Sequence, residues 1–154
     1  MMKRVAFDMD DVICTRKSEE GGVLKYHTCE PISAGVRLVN ECFDAGYHVA
    51  IFTARGMISC DADIDRINVE IRPITECQLK DWGVRYHELI MGKYPYDVLI
   101  CDKAVDSRGV RTLDDIKRAL ARPEPIHLGY GSTKDHCDQF RDALEKYGVM
   151  PGEK

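Results

Sequence analysis

The chain has 154 residues, of which 44% are hydrophobic and 31% are charged, so it is long enough for one ordinary globular domain with a continuous core. Its formal net charge of -4 provides no basic field, which counts against a nucleic-acid partner without excluding one. The N-terminal sequence MMKRVAFDMDD lacks the apolar region of a signal peptide, and no run of the chain reaches membrane-spanning length. We therefore expect a cytoplasmic protein with no membrane partner.

The seven cysteines are an odd number and form no CxxC pair. Zinc sites are usually marked by close Cys/His spacing, and here only His136 and Cys137 are adjacent. This pattern predicts free, buried thiols in a reducing compartment.

The first half of the chain predicts four elements in order. They are a strand from Arg4 to Phe7 or Asp8, a hairpin or flap over 12–30 around Gly21-Gly22, a helix after Pro31 that is capped by Ser33 and ends at Gly46, and a buried strand over 48–52. Lys25, Tyr26 and His27 are expected at the solvated tip of the hairpin, with contact to a leaving group as the alternative.

The second half predicts five further elements. They are a helical region over 61–82 interrupted at Pro73 and closed by Gly83, a short strand over 86–90, a strand over 97–101, a helix over 112–121 that opens with a capping box, and an amphipathic helix over 132–147.

Strands that alternate with helices indicate a parallel sheet covered on both faces. The predicted fold class is therefore α/β, a Rossmann-like three-layer sandwich with a mostly parallel central sheet. We expect residues 1–154 to form a single domain, in which residues 1–121 carry the motifs and the helix over 132–147 has no assigned role.

Three of the predicted strands end in a polar residue. Asp8 follows the run VAF, Thr53 follows VAIF, and Asp102 follows VLIC. Ligands of open α/β sheets bind beyond the carboxyl ends of the strands. The sequence therefore predicts that two carboxylates and a hydroxyl meet at one edge of the sheet.

Asp8, Asp10 and Asp102 favour a hard cation at this edge. Carboxylates that are held close together repel each other unless a cation lies between them. Oxygen ligands suit Mg²⁺, which is the usual ion where phosphate is also bound and which offsets the repulsion between an anionic nucleophile and a phosphate.

A phosphoryl group would also need hydrogen-bond donors and a positive charge. Thr53 and neighbouring backbone N–H groups such as that of Ala54 are candidate donors to its oxygens. Lys93, in the GKYP loop, is the candidate cation, and Lys80 and Lys103 are alternatives for that role.

The motifs DMDDV (8–12), IFTAR (51–55), GKYP (92–95) and VLICDKAVD (98–106) resemble, in this order, the four motifs of the haloacid dehalogenase-like (HAD) superfamily. The resemblance extends to about residue 120. The stretch 72–106 is similar to small phosphatases associated with bacterial capsule or surface-polysaccharide biosynthesis. A HAD-like fold with a minimal cap domain or none is implied, since the segments 12–31 and 53–93 are too short to hold a helical cap.

The resemblance implies two catalytic residues. Asp8 matches the nucleophile that becomes an aspartyl-phosphate and also binds Mg²⁺. Asp10 matches the general acid/base, and its backbone carbonyl matches a metal ligand. An aspartate at position 10 is typical of phosphatases and phosphomutases, whereas P-type ATPases carry threonine there.

The resemblance also implies a phosphate site and a metal site. Thr53 and Lys93 match the phosphate-binding hydroxyl and lysine, and Asp102 matches the second metal carboxylate. Either Asp106 or a water completes the metal shell, because Cys101 occupies a position where close relatives often carry an aspartate.

We therefore predict a Mg²⁺-dependent phosphatase that hydrolyses a small phosphate monoester, with sugar phosphates among the candidate substrates, through an aspartyl-phosphate. A nucleotidase or a polynucleotide 3′-phosphatase is an alternative, and a catalytically silent binding module with the same fold is another. Arg55 either contacts the substrate or pairs with an acidic neighbour.

Overall fold

The computed structural model describes residues 2–16, 24–99, 101 and 103–121. These residues belong to one compact unit that ends at Ala121. Three features of the sequence prediction lie outside the described residues, namely the Gly21-Gly22 turn, Asp102 and the helix over 132–147.

The described part of the chain contains a parallel sheet with the order β1–β2–β3. Its strands are β1 (Arg4–Phe7), β2 (His48–Phe52) and β3 (Glu88–Ile90). β2 is the central strand and is buried over residues 49–51, which explains its run of apolar residues without alternation. The predicted α/β class with a parallel sheet is confirmed, and the arrangement is compatible with a Rossmann-like fold.

Four α-helices accompany the sheet in the described residues. They are α1 (Ser33–Asp44), α2 (Ile64–Glu70), α3 (Arg72–Asp81) and α4 (Leu113–Leu120). α1 packs against β2 and α4, and α2 packs against α3. Among the described residues, no helix is both long enough and apolar enough to cross a bilayer.

At three positions, the residue types explain where a helix begins or is interrupted. The predicted break in the helical region falls at Ile71, and Pro73 lies in the first turn of α3, where its missing N–H costs no hydrogen bond. Asp63 caps α2 by accepting from Arg66 N–H. The predicted capping box is confirmed at α4, where Thr112 and Asp115 exchange side-chain and backbone hydrogen bonds.

One sequence prediction near α1 is wrong in detail. Ser33 is the first helical residue rather than the cap, since Ile32 holds the cap position in an extended conformation without a side-chain hydrogen bond. The hairpin or flap over 12–30 stays a prediction, because its turn lies outside the described residues; the described part contains a 3₁₀ turn over Leu24–Tyr26 and an antiparallel bridge from Cys14 to Pro31.

The predicted strand over 97–101 is also wrong for the residues that the structure describes. Residues 97–99 and 101 belong to no strand, and Val98 and Leu99 are 77% and 51% exposed. An apolar run becomes a strand only when a neighbour completes its backbone hydrogen bonds. In the described sheet, β1 pairs with β2 alone.

The core lies between the sheet and three of the helices. Buried side chains of the strands meet buried side chains of α1, α3 and α4, namely Leu38, Val39, Cys42, Leu79 and Ile116. A second buried cluster joins Tyr26, Cys60, Ile67 and Ile71 beside the loop after β2. Cys14, Cys29, Cys42 and Cys60 are buried with free thiols, as predicted, whereas the prediction of burial is wrong for Cys77 and Cys101, which are exposed.

Candidate functional site

The strands deliver three predicted site residues to one edge of the sheet. Asp8 and Thr53 directly follow β1 and β2, and Lys93 follows β3 by three positions. The backbone joins two of these loops, since Thr53 N–H donates to Ile90 O and Lys93 N–H donates to Thr53 O, each at 3.1 Å. The strand-end rule therefore brings these residues to the same edge.

Asp8 and Lys93 form a direct ion pair. Lys93 Nζ donates to Asp8 Oδ2 at 2.5 Å, and Met9 N–H donates to Asp8 Oδ1 at 2.8 Å. Burial by itself would lower the pKa of Lys93, but its hydrogen bonds to Asp8 and Tyr96 outweigh burial and raise the pKa. The Lys93 side chain is 10% exposed and that of Asp8 is 38% exposed, so the carboxylate is the part of the pair open to an incoming molecule.

Aromatic rings surround the Lys93 ammonium group. Nζ lies 5.7 Å from the centroid of the Phe52 ring and 5.0 Å from that of the Tyr96 ring. Both distances are within the range of cation–π attraction, which holds the charge in place at the sheet edge.

Thr53 is fully buried, and Ala54 is partly exposed. The Thr53 hydroxyl oxygen accepts a hydrogen bond from Arg55 N–H at 3.2 Å. This bond shapes the turn after β2, so Thr53 has a structural role in addition to the predicted phosphate contact.

Asp10 pairs with Arg55, which is one of the two alternatives predicted for this arginine, and the substrate contact stays a prediction. Arg55 Nε lies 3.0 and 3.3 Å from the two carboxylate oxygens, and Nη2 lies 2.9 Å from Oδ1. The Arg55 side chain is 0% exposed and that of Asp10 is 19% exposed. Burial lowers the pKa of Arg55, and the bonds to Asp10 outweigh it, so that the pKa is raised and the guanidinium stays charged.

Gln78 and Tyr26 contact the Arg55 side chain, although the sequence placed neither residue in the site. Arg55 Nη1 donates to Gln78 Oε1 at 2.7 Å, and Gln78 Nε2 donates to the carbonyl oxygen of Tyr26 at 2.6 Å. The Tyr26 ring lies under the guanidinium at 5.2 Å, and its hydroxyl accepts from Gly56 N–H at 2.9 Å. The expectation of a solvated Tyr26 is wrong because the ring is buried, with 7% exposure.

The loop that carries Asp8 and Asp10 is tightly folded. The carbonyl oxygen of Met9, a fully buried residue, accepts hydrogen bonds from the N–H groups of residues 12, 13 and 14. Asp11 has a φ of 64°, in the left-handed region. Asp tolerates this region better than most residues other than glycine and asparagine, which explains how the chain can carry aspartate here.

The predicted metal ligands of the fourth motif are not assembled in the described residues. Asp102 lies outside them. Asp106 caps a 3₁₀ turn over Ser107–Gly109, and its carboxylate pairs with Arg108 at 2.6 Å. These hydrogen bonds lower the pKa of Asp106 to about 2.

One group of potential ligands does converge within the described residues. Donor atoms of Asp10, Cys14 and Cys29 lie within 4.8 Å of one another. Two thiols make this group too soft for Mg²⁺. A cation is already present in it, because Arg55 Nη2 lies 3.1 Å from Cys14 Sγ. This group is therefore part of the Asp10–Arg55 network rather than a magnesium site.

The described residues fit a magnesium ion only in part. The Asp8 carboxylate accepts hydrogen bonds from Lys93 and from Met9 N–H but is partly exposed, whereas the carboxylates of Asp10 and Asp106 pair with the arginines Arg55 and Arg108. The backbone carbonyl of Asp10 remains a candidate oxygen ligand beside Asp8.

No family model and no curated protein matches this chain. A crystal structure of an MCSG target from Vibrio cholerae is similar, with 25% sequence identity and a TM-score of 0.66, and the match covers 77% of this chain and 97% of the other. The likeness supports a shared α/β fold.

Proposed function

We propose that this chain is a HAD-like phosphatase that hydrolyses a small phosphate monoester in the cytoplasm, with Asp8 as the covalent nucleophile. The observation that carries the proposal is the contact between Asp8 and Lys93 at the carboxyl edge of the sheet, beside Thr53. An accessible carboxylate next to a buried ammonium group is suited to attack on a phosphoryl group. The order of the four motifs supports the same assignment.

In the first half of the proposed reaction, a carboxylate oxygen of Asp8 attacks phosphorus and the bond to the leaving oxygen breaks. Lys93 would balance the charge on the phosphoryl oxygens, and backbone N–H groups near Thr53 and Ala54 would orient them. Asp10 would give its proton to the leaving oxygen.

In the second half, water attacks phosphorus in the aspartyl-phosphate, and Asp8 and inorganic phosphate are released. Asp10 would accept the proton of that water. Accepting this proton returns Asp10 to the form that donates to the leaving oxygen in the first half, so the proton is accounted for over the whole cycle.

Magnesium remains part of the proposal. Asp8, the backbone carbonyl of Asp10 and Asp102 are the proposed ligands, and either Asp106 or water would complete the set. When bound, the ion would reduce the repulsion between the nucleophile and the phosphate.

The proposal is tested by assaying a generic aryl phosphate with and without Mg²⁺, with the isosteric Asp8→Asn variant as the matched control. We expect magnesium-dependent turnover by the wild type and none by the variant. A panel of sugar phosphates, nucleotides and 3′-phosphorylated oligonucleotides would then distinguish a sugar phosphatase from a nucleotidase or a polynucleotide 3′-phosphatase. A wild type that turns over no substrate of the panel would favour the silent binding module.

A further inference from the structure

We propose that Gln78 is a positioning residue of this site, because it holds Arg55 in the orientation that fixes the Asp10 carboxylate. The inference rests on the proposed function, since it assigns Asp10 the proton transfers. Gln78 lies in the middle of α3, 23 positions from Arg55, and belongs to none of the motifs that suggested the function.

The Arg55 side chain is completely buried. A buried guanidinium needs acceptors for its N–H groups, and an unsatisfied one carries a large desolvation cost. Nε and Nη2 are directed to Asp10, and Gln78 Oε1 accepts from Nη1 at 2.7 Å. Loss of this acceptor would leave Nη1 without its partner, which favours a turned guanidinium and would move the two nitrogens that hold Asp10.

The side-chain amide of Gln78 has one possible orientation, because its two partners have opposite hydrogen-bonding character. Arginine has only donors, and the carbonyl of Tyr26 only accepts, so the oxygen of the amide must face Arg55 and its nitrogen must face Tyr26. Glutamate would lack the donor, and leucine would lack both groups. Through these two hydrogen bonds, Gln78 links α3 both to the segment around Tyr26 and to Arg55 in the loop after β2.

The two aspartates of the site are held by different residues. Gln78 contacts Arg55, and Arg55 in turn contacts Asp10, whereas Asp8 is held by Lys93. Loss of Gln78 should therefore disturb the proton transfers and leave the binding of phosphate largely intact. This difference separates a positioning role from a general loss of structure.

The test compares Gln78→Leu with the wild type in steady-state kinetics with an aryl phosphate and Mg²⁺. We expect kcat to fall about tenfold, as for loss of one hydrogen bond to a charged group, while KM stays within about twofold. In an Asp10→Asn background, Gln78→Leu should lower the residual kcat no further, because its effect passes through Asp10. Cys77→Ser, at the exposed neighbouring position of α3, is the matched control and should keep the wild-type kcat.

A urea-unfolding cycle of Gln78→Leu and Arg55→Met gives a readout that does not depend on activity. The two changes should be non-additive by about fivefold in the folding equilibrium constant. An active wild type whose Gln78→Leu variant keeps full kcat, or additive changes in the cycle, would overturn the inference. Lack of turnover in the wild type would instead count against the proposed function itself and, with it, the catalytic part of this inference.

Discussion

Lys93 Nζ lies 2.5 Å from Oδ2 of Asp8, although the two residues are 85 positions apart in the chain. The contact exists because β1 and β3 flank β2 in a parallel sheet, so that the loops that follow them begin at the same edge. A positive charge at the carboxylate is what a nucleophile needs if it is to approach an anionic phosphate.

Lys93→Met should lower kcat/KM by about a hundredfold, since one charge-assisted contact to the phosphoryl group is worth about 2–3 kcal/mol. Steady-state kinetics with an aryl phosphate measures this change. Lys80→Met, an exposed position on α3, is the control and should retain wild-type activity. Equal losses in the two variants would contradict the role assigned to Lys93.

Arg55→Met and Asp10→Asn should each lower the free energy of unfolding by about 2 kcal/mol, because each leaves a largely buried partner without its counter-charge. The value is below that of a fully buried pair because part of Asp10 reaches solvent. The double variant should be less destabilised than the sum of the two, by about 1 kcal/mol in urea denaturation. Additive effects would mean that the pair does not act as a unit.

Gly35→Ala should damage the loop that carries Asp8 and Asp10. A Cβ at position 35 would lie 1.9 Å from the carbonyl oxygen of Val12, and backbone cannot move aside as a side chain can. We expect a loss of about 2 kcal/mol of stability, which exceeds the gain in helix propensity of about 1 kcal/mol. Gly109→Ala, where no atom lies within 4 Å of the added Cβ, should change the urea midpoint little. Similar midpoints for both variants would refute the close packing of α1 on this loop.

The Cys42 thiol should make the fold less stable in alkali. Burial, followed by the charge of Glu41, raises its pKa from 9.0 to about 11. The unfolded chain therefore loses the proton first as pH rises, so stability that is present below about pH 9 is lost between pH 9 and 11. Cys42→Ala should remove about 1 kcal/mol of the loss between pH 8 and 10, measured by urea denaturation at both values. Val39→Ala, at a buried residue of the same helix without a titratable group, is the control and should lower stability equally at both pH values.

The part of the site that could be predicted from the sequence follows from strand ends. The apolar runs before Asp8 and Thr53 define parallel strands, and parallel strands bring their carboxyl ends to one edge. Lys93 was one of three candidate lysines, and its backbone bond to the Thr53 carbonyl explains why it is the one at Asp8.

The contacts of Arg55 with Gln78 and Tyr26 could not be predicted from the sequence, because they join segments that are distant in the chain. Tyr26 O and Gln78 Nε2 are separated by 52 positions, and neither residue has a spacing that indicates the other. Tyr26 follows a Gly-Gly pair, so its position in the sequence favoured a solvated turn. The strand predicted over 97–101 failed for another reason. Hydrophobicity alone does not show whether a neighbouring strand will form backbone hydrogen bonds with an apolar run.

The most direct test of the central claim is a single-turnover reaction of the full chain with an aryl phosphate and Mg²⁺, stopped in acid and analysed by mass spectrometry of its peptides. We predict one phosphoryl group on the peptide that contains Asp8, formed before phosphate is released and absent in Asp8→Asn. Turnover with no phosphorylated peptide, or a label that persists in Asp8→Asn, would contradict the assignment of Asp8 as the nucleophile.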